Sequence, residues 1–262
     1  MPIKSIELFN IIRKNKFKEP EFDTINGKKV IKKLVAYDNK NQPVLLGTNF
    51  GTKYSIHPNY ATEIFMKGEH TPVAFNTFWI SEDYNTINGG MMSVNDYSKR
   101  GNGYGELLRL ASIIDLQENY LDRISIFALS EAIPFHHKYK FKPCIPFQKD
   151  SSEDLLLKIS NKQEPKLSAL KNSAINLLEN IQNAGFMIDT NTHNKFTKSI
   201  NKLIAEYIET VKFEKLAWQS TPEKVGSSFD TDIEMVLDID TVFCHKDFFN
   251  EKFQKHGIDY EI

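Results

Sequence analysis

Apolar residues recur along this chain with two different periods, and the switches between them mark out its elements. Residues 3–14 place Ile3, Ile6, Leu8, Phe9, Ile11 and Ile12 at spacings that predict an amphipathic helix. Two short apolar runs, Val30–Tyr37 and Val44–Leu46, flank the polar stretch Asp38-Asn39-Lys40-Asn41-Gln42-Pro43 and predict a hairpin. A second hairpin pairs Ala61–Met66 with Pro72–Ile80, both rich in β-branched and aromatic residues, across Lys67-Gly68-Glu69-His70. A further strand, Thr86–Val94, follows the polar Ser81-Glu82-Asp83-Tyr84-Asn85. Gly105–Gln117 then carries Leu107, Leu108, Leu110, Ala111, Ile114 and Leu116, a helical stripe. Arg123–Leu129 reads as a compact strand and Glu131–Tyr139 as a short helix. Phe141–Phe147 is extended, with two prolines that suit an edge strand.

The character changes after about residue 160. Lys166–Asn183 and His193–Lys215 are long amphipathic helical patterns divided by the turn-rich Asp189-Thr190-Asn191-Thr192. A Gly/Ser linker at 226–228 leads to Glu234–Ile239, which reads as a strand, and a short helix is expected near Phe248–Lys255. Two domain organisations compete. In one, Asp154–Ile159 closes the sheet of a core at 1–160, and 161–262 is a helical extension. In the other, the helices are an insertion and 234–239 returns as the last strand of the core sheet; the Met235-Val236-Leu237 run favours this second reading.

Bulk properties narrow the class. At 262 residues the chain can bury a substantial core without staples, and 40% hydrophobic with 26% charged residues places it among ordinary globular proteins. A formal charge of −1 gives no global attraction to nucleic acid or to an anionic membrane. No uncharged apolar run approaches the ~20 residues of a membrane span, and the N-terminus does not read as a signal peptide. The two cysteines, Cys144 and Cys244, do not make a disulfide framework, so a cytoplasmic setting is the simplest expectation.

The strand at 86–94 runs into Asn95-Asp96-Tyr97-Ser98-Lys99-Arg100-Gly101-Asn102-Gly103-Tyr104-Gly105, and a helix starts at once. Alternate glycines permit positive φ and close backbone approach. Successive N–H groups can then point into one concavity at the positive end of a helix dipole, and Arg100 adds charge-assisted bonds to phosphate. That chemistry suits a diphosphate. The dinucleotide fingerprint fails at Glu106, where its third glycine belongs, and the Gly-Lys-Ser/Thr ending of a P-loop is absent. What the stretch resembles is the Arg-x-x-Gly-x-Gly signature of the GNAT superfamily of acyl-CoA N-acyltransferases, through Arg100, Gly103 and Gly105.

A second stretch strengthens the resemblance. Ala132-Ile133-Pro134-Phe135-His136-His137-Lys138-Tyr139-Lys140-Phe141 is similar to that family's Ala-x-x-Phe-Tyr-x-Lys-x-Gly-Phe, matching at Ala132, Phe135, Lys138 and Phe141. Three positions depart from the pattern. Lys140 stands where the glycine is usual, Leu129 with Ser130 beside it stands where a pantetheine-contacting Asn is frequent, and His136 stands at the catalytic Tyr. The resemblance implies an α/β (α+β) acyltransferase fold, with a mixed, mainly antiparallel sheet flanked by helices.

It also implies acetyl-CoA as donor and direct attack of a primary amine, on a small molecule or a peptide, upon the thioester. The donor would lie against Met92, Ser93, Val94, Arg100, Gly101, Asn102, Gly103, Tyr104, Gly105 and Ser130, with amides around Met92–Val94 holding the acyl carbonyl. The departing thiolate would take its proton from a side chain on the second helix. A histidine, with an ordinary pKa of about 6.5, serves as acid or base. His136 is therefore the first candidate, Tyr139 the second, and a reaction needing no specific acid the third.

The remaining chemistry-bearing residues carry less. Adjacent helix positions diverge by about 100°, so His136 and His137 do not share a metal ion. Glu82 and Asp83, together with Asp96, flank the expected substrate mouth and are candidates for orienting an amine; loop acids are more often only solvated. The C-terminal helices would cover the amine site, mediate a homodimer, or bind a partner. The competing reading from another class is a non-catalytic GNAT-fold module that binds CoA or another protein.

Overall fold

The computed structural model describes residues 17–51, 53, 59–95, 97–129, 132–144, 190–191, 194–195, 198, 202 and 232–262. Among the described residues there are nine strands: β1 (Glu21–Ile25), β2 (Lys28–Tyr37), β3 (Pro43–Gly51), β4 (Asn59–Met66), β5 (Ala74–Ser81), β6 (Thr86–Val94), β7 (Arg123–Leu129), β8 (Lys142–Pro143) and β9 (Asp232–Asp238). The helices are α1 (Tyr104–Glu118), α2 (Ile133–Lys138), α3 (Ile239–Cys244) and α4 (Lys246–Lys255). The expected helices at 3–14 and 166–183 lie outside the described residues, as do Asp154–Ile159 and most of 193–215. The chain forms two compact units, Met1–Ser125 with Leu237–Ile262, and Ile126–Val236.

In the first unit β1 to β6 pair in sequence order as an antiparallel meander. Alternation decides which side chains face inward. Leu34, Leu46, Ile64 and Ala74 stand directly opposite one another across β2 to β5, and all four are fully buried. One strand escaped the hydrophobic pattern. β1 is reached through Asn26-Gly27, both at positive φ (50° and 72°), a turn whose twist matches a tight hairpin.

The meander ends at β6, and the direction of the sheet changes there. The Asp122 N–H donates to the Asn85 carbonyl at 2.9 Å, and Arg123 Nε donates to Thr86 Oγ1 at 3.2 Å. The openings of β6 and β7 thus lie side by side and run the same way. A parallel step needs a crossover, and α1 supplies it. The Ile239 N–H, just after β9, donates to the Asp122 carbonyl at 2.8 Å, so β9 ends where β7 begins. The result is the mixed, mainly antiparallel sheet with helices that the resemblance implies.

The sequence stripe predicts one buried face for α1, but burial extends almost all round. Every residue from Glu106 to Leu116 is buried, because α1 packs on β2, β4, β5 and β6 and also touches α3 and α4. Each leucine or isoleucine so enclosed contributes roughly 1.5–3 kcal/mol. The polar residues of α1 must then find partners inside. Ser112 donates to the Leu108 carbonyl and accepts from Asn76 on β5. Glu106 accepts from Lys255 at 3.1 Å and lies within hydrogen-bond distance of His256 Nε2, also 3.1 Å, while His256 Nδ1 stands 2.6 Å from the Tyr37 carbonyl.

Asp115 has no such arrangement. Among the described residues neither carboxylate oxygen accepts a well-formed hydrogen bond, and the Ile31 N–H gives only a weak contact. Burial first, and then the nearby Glu118, push its pKa up to about 8, with the Ile31 amide lending a partial opposing pull. Between the unfolded value of 3.8 and about 8, the folded chain keeps a proton that the unfolded chain releases. Stability is therefore lost as pH rises through that window, at about 1.4 kcal/mol per pH unit from this group. Asp115→Asn is expected to abolish that slope. Urea denaturation at pH 5 and pH 8 should find the variant's stability relative to wild type clearly greater at the higher pH.

Candidate functional site

The turn after β6 is built by its glycines. Asn95 leaves the strand with its N–H on the Val73 carbonyl and its Nδ2 on the Pro72 carbonyl, and Tyr97–Lys99 form one 3-10 turn. Gly101 and Gly103 both sit in the left-handed region, at φ 86° and 89°, where a side chain would be strained. Gly103 is the N-cap of α1, and no side chain caps that end. The first-turn N–H groups at Tyr104, Gly105 and Glu106 have no intrahelical acceptor, by helix geometry. An uncapped, glycine-lined helix start of this kind fits an anionic oxygen cluster.

The flanking candidates fall as follows. Arg100 and Gly101 are exposed, Gly103 and Gly105 are half-buried, and Asn102 and Tyr104 are buried. Tyr104 is held inside, its hydroxyl 3.6 Å from Met66 Sδ. Met92, Ser93 and Val94 are half-buried and stand opposite Asn76, Phe75 and Ala74 of β5.

The irregularity of β6 lies just before them. The ladder to β5 shifts register between Asn76 and Phe78, and the Met91 N–H donates to Thr77 Oγ1 at 2.8 Å instead of to a backbone carbonyl. Room for this exists because position 90 is glycine; a Cβ there would stand 2.5 Å from Thr77 Oγ1. Such a bulge bends a strand and takes donors out of the ladder. Gly89-Gly90 inside an apolar run was the sequence signal for it.

Glu82 and Asp83 are not brought to the cradle. They occupy the β5–β6 turn, at the opposite end of β6 from Arg100–Gly105, and nine strand residues span roughly 27 Å. Glu82 is mostly exposed and pairs with Lys28 at 3.2 Å. Asp96 and Ser130 lie outside the described residues.

In the second unit, Pro134 helps start α2, where its missing N–H costs nothing. His136 is buried and His137 exposed. The His136 ring meets Phe135 at 5.1 Å and Phe141 at 5.7 Å between ring centres, both edge-on. Tyr139, the C-cap, is 1% exposed and tilts against Phe135 at 5.0 Å. The His136 carbonyl accepts from both the Tyr139 and Phe141 N–H groups, which closes the helix into the turn before β8. β8 pairs antiparallel with β9 through Lys142 opposite Val236.

Lys140 reaches that turn at φ 69°. A lysine in the left-handed region carries the backbone strain that a glycine there would not.

No family profile matches the chain, and no curated protein sequence matches it. In structure the chain is similar to a GNAT family acetyltransferase from Elizabethkingia anophelis with acetyl-CoA bound, at 11% identity over 38% of this chain and 77% of that one, with a TM-score of 0.30. It is also similar to a Bacillus subtilis acetyltransferase in complex with CoA, at 10% identity over 74% of this chain and 99% of that one, with a TM-score of 0.37. A third is a nourseothricin acetyltransferase, at 11% identity over 47% of this chain and 84% of that one, with a TM-score of 0.29.

Lys140→Gly is expected to raise stability by roughly 0.5–1 kcal/mol, as relief of the left-handed strain exceeds the added backbone entropy of glycine. Chemical denaturation of the two proteins side by side checks this; a less stable variant would show that the lysine side chain outweighs its backbone.

Proposed function

We propose that the chain is an N-acetyltransferase that takes an acetyl group from acetyl-CoA and delivers it to a primary amine. The observation that supports this best is the pair of left-handed glycines leading into the uncapped start of a 15-residue helix. The donor's diphosphate would meet the amides of Gly103, Tyr104 and Gly105 there, with Arg100 beside them. The strand residues Met92, Ser93 and Val94 follow a bulge and supply the backbone against which the acyl arm would run.

Bound acetyl-CoA supplies an activated thioester. The amine nitrogen forms a bond to its carbonyl carbon, the carbon–sulfur bond breaks, and the thiolate leaves with its electron pair. His136 is the group we assign to protonate that thiolate, since it holds the position of the family's tyrosine on α2. Its ring is set by Phe135 and Phe141, so its orientation is fixed before substrate arrives. Tyr139 is the alternative donor.

A second reading keeps the fold without the reaction. The near-complete burial of both His136 and Tyr139 favours it, because two buried aromatics are also what a packed helix requires. The two readings part on one experiment, with CoA binding followed by calorimetry and thiol release from acetyl-CoA across a panel of primary amines. Binding with turnover is expected, and His136→Ala should lower kcat by roughly 10²-fold with little change in the KM for acetyl-CoA. Binding without turnover on any amine supports a CoA-binding module, and no CoA binding removes the acetyltransferase reading and leaves only a module that binds another protein.

A further inference from the structure

The hairpin between β2 and β3 does more than join two strands. Its tip is rigid. Asp38 is buried, and its Oδ1 accepts from the Lys40 and Gln42 N–H groups, each at 2.8 Å. The Asp38 N–H donates to the Gln42 carbonyl at 3.0 Å, and the Asn41 N–H donates to the Asp38 carbonyl at 2.9 Å. Asn41 closes the tip at φ 60°, a conformation that asparagine tolerates.

That tip leaves Asn39 facing the glycine turn. The Asn39 N–H donates to the Asn102 carbonyl at 2.8 Å, and its Nδ2 donates to the Gly101 carbonyl at 3.0 Å. Its Oδ1 lies where a Cβ on Gly103 would come within 2.8 Å. Asn39 thus holds two successive carbonyls, Asn102 through its main-chain N–H and Gly101 through its side chain, and the side chain fills the space behind Gly103.

Peptide geometry gives this contact a consequence at a distance. In a trans peptide the C=O of one residue and the N–H of the next point in opposite directions. With the Gly101 and Asn102 carbonyls held towards Asn39, the N–H groups of Asn102 and Gly103 face away from the hairpin, and the Asn102 N–H donates to the Lys99 carbonyl at 3.4 Å. A glycine-rich turn without that restraint can flip a peptide plane and present a carbonyl oxygen instead. A carbonyl there would repel an anion.

We infer that Asn39 is a positioning residue for the acyl donor's diphosphate, acting by fixing which way the peptides of residues 101–103 point. This rests on the acetyl-CoA reading above. Asn39 donates both of its bonds to protein carbonyls, so it acts through the turn and not on the donor itself. The tip is in turn anchored from behind. The Tyr37 N–H donates to the His256 carbonyl at 2.9 Å, and the same histidine reaches Glu106 on the first turn of α1.

The test compares wild type with Asn39→Ala and Asn39→Asp, using two probes: CoA, and pantetheine, which ends before the diphosphate. Melting temperatures are measured alongside. The alanine variant should lose at least tenfold in affinity for CoA while its affinity for pantetheine and its melting temperature stay near those of wild type. The aspartate variant, which also places a negative charge behind the turn, should lose more. Should either fail to fold, Asn39→Ser carries the same comparison. Equal losses for both probes, or CoA binding unchanged in the alanine variant, would overturn the assignment. Failure of wild type to bind CoA at all would instead remove the acyl-donor reading on which it rests.

Discussion

One buried carboxylate, Glu106, is the contact on which the arrangement of the first unit turns. It sits on the first turn of α1, accepts from Lys255 and hydrogen-bonds with His256 at the far end of α4. Through the other nitrogen of His256 it is linked to Tyr37, at the end of β2. Three elements from distant parts of the sequence therefore meet on one side chain. A buried carboxylate without partners would cost several kcal/mol, so the contact is a constraint as much as a stabilisation. It fixes where α1 begins, and with it where the glycine turn before α1 can lie.

The elements legible in the sequence are those whose boundaries are enforced by local chemistry. Thr86–Val94 and Arg123–Leu129 read correctly at both ends because turn-forming residues bracket them. The helix between them reads one residue late and one short, within the fraying expected of helix ends. β1 was missed because only Phe22 and Ile25 turn partly inward, so no alternation signals it; Asn26-Gly27 was the available sign. Ile239 was assigned to a strand but opens α3, where the chain turns at Asp238.

The glycines of the cradle left a mark in the sequence because a backbone at φ near 90° excludes other residues. What holds them in place left none. Asn39 is 62 residues from Gly101, and within its own segment it looks like an ordinary turn residue. Glu106 looks like a solvated acid in the first turn of a helix, and only its distant partners show otherwise. Glu82 and Asp83 show what position along a strand decides: a nine-residue β6 separates their turn from the glycine turn.

The separation between Glu106 and its partner has a kinetic meaning. The two residues lie 150 positions apart, and closing so large a loop is paid in chain entropy before any contact is made. Contacts of that range slow folding and form late. The strands of the meander, each joined to the next by a short turn, can assemble while the start of α1 is still unanchored. The cradle would then be among the last parts of the first unit to acquire its shape, well after the sheet that carries it.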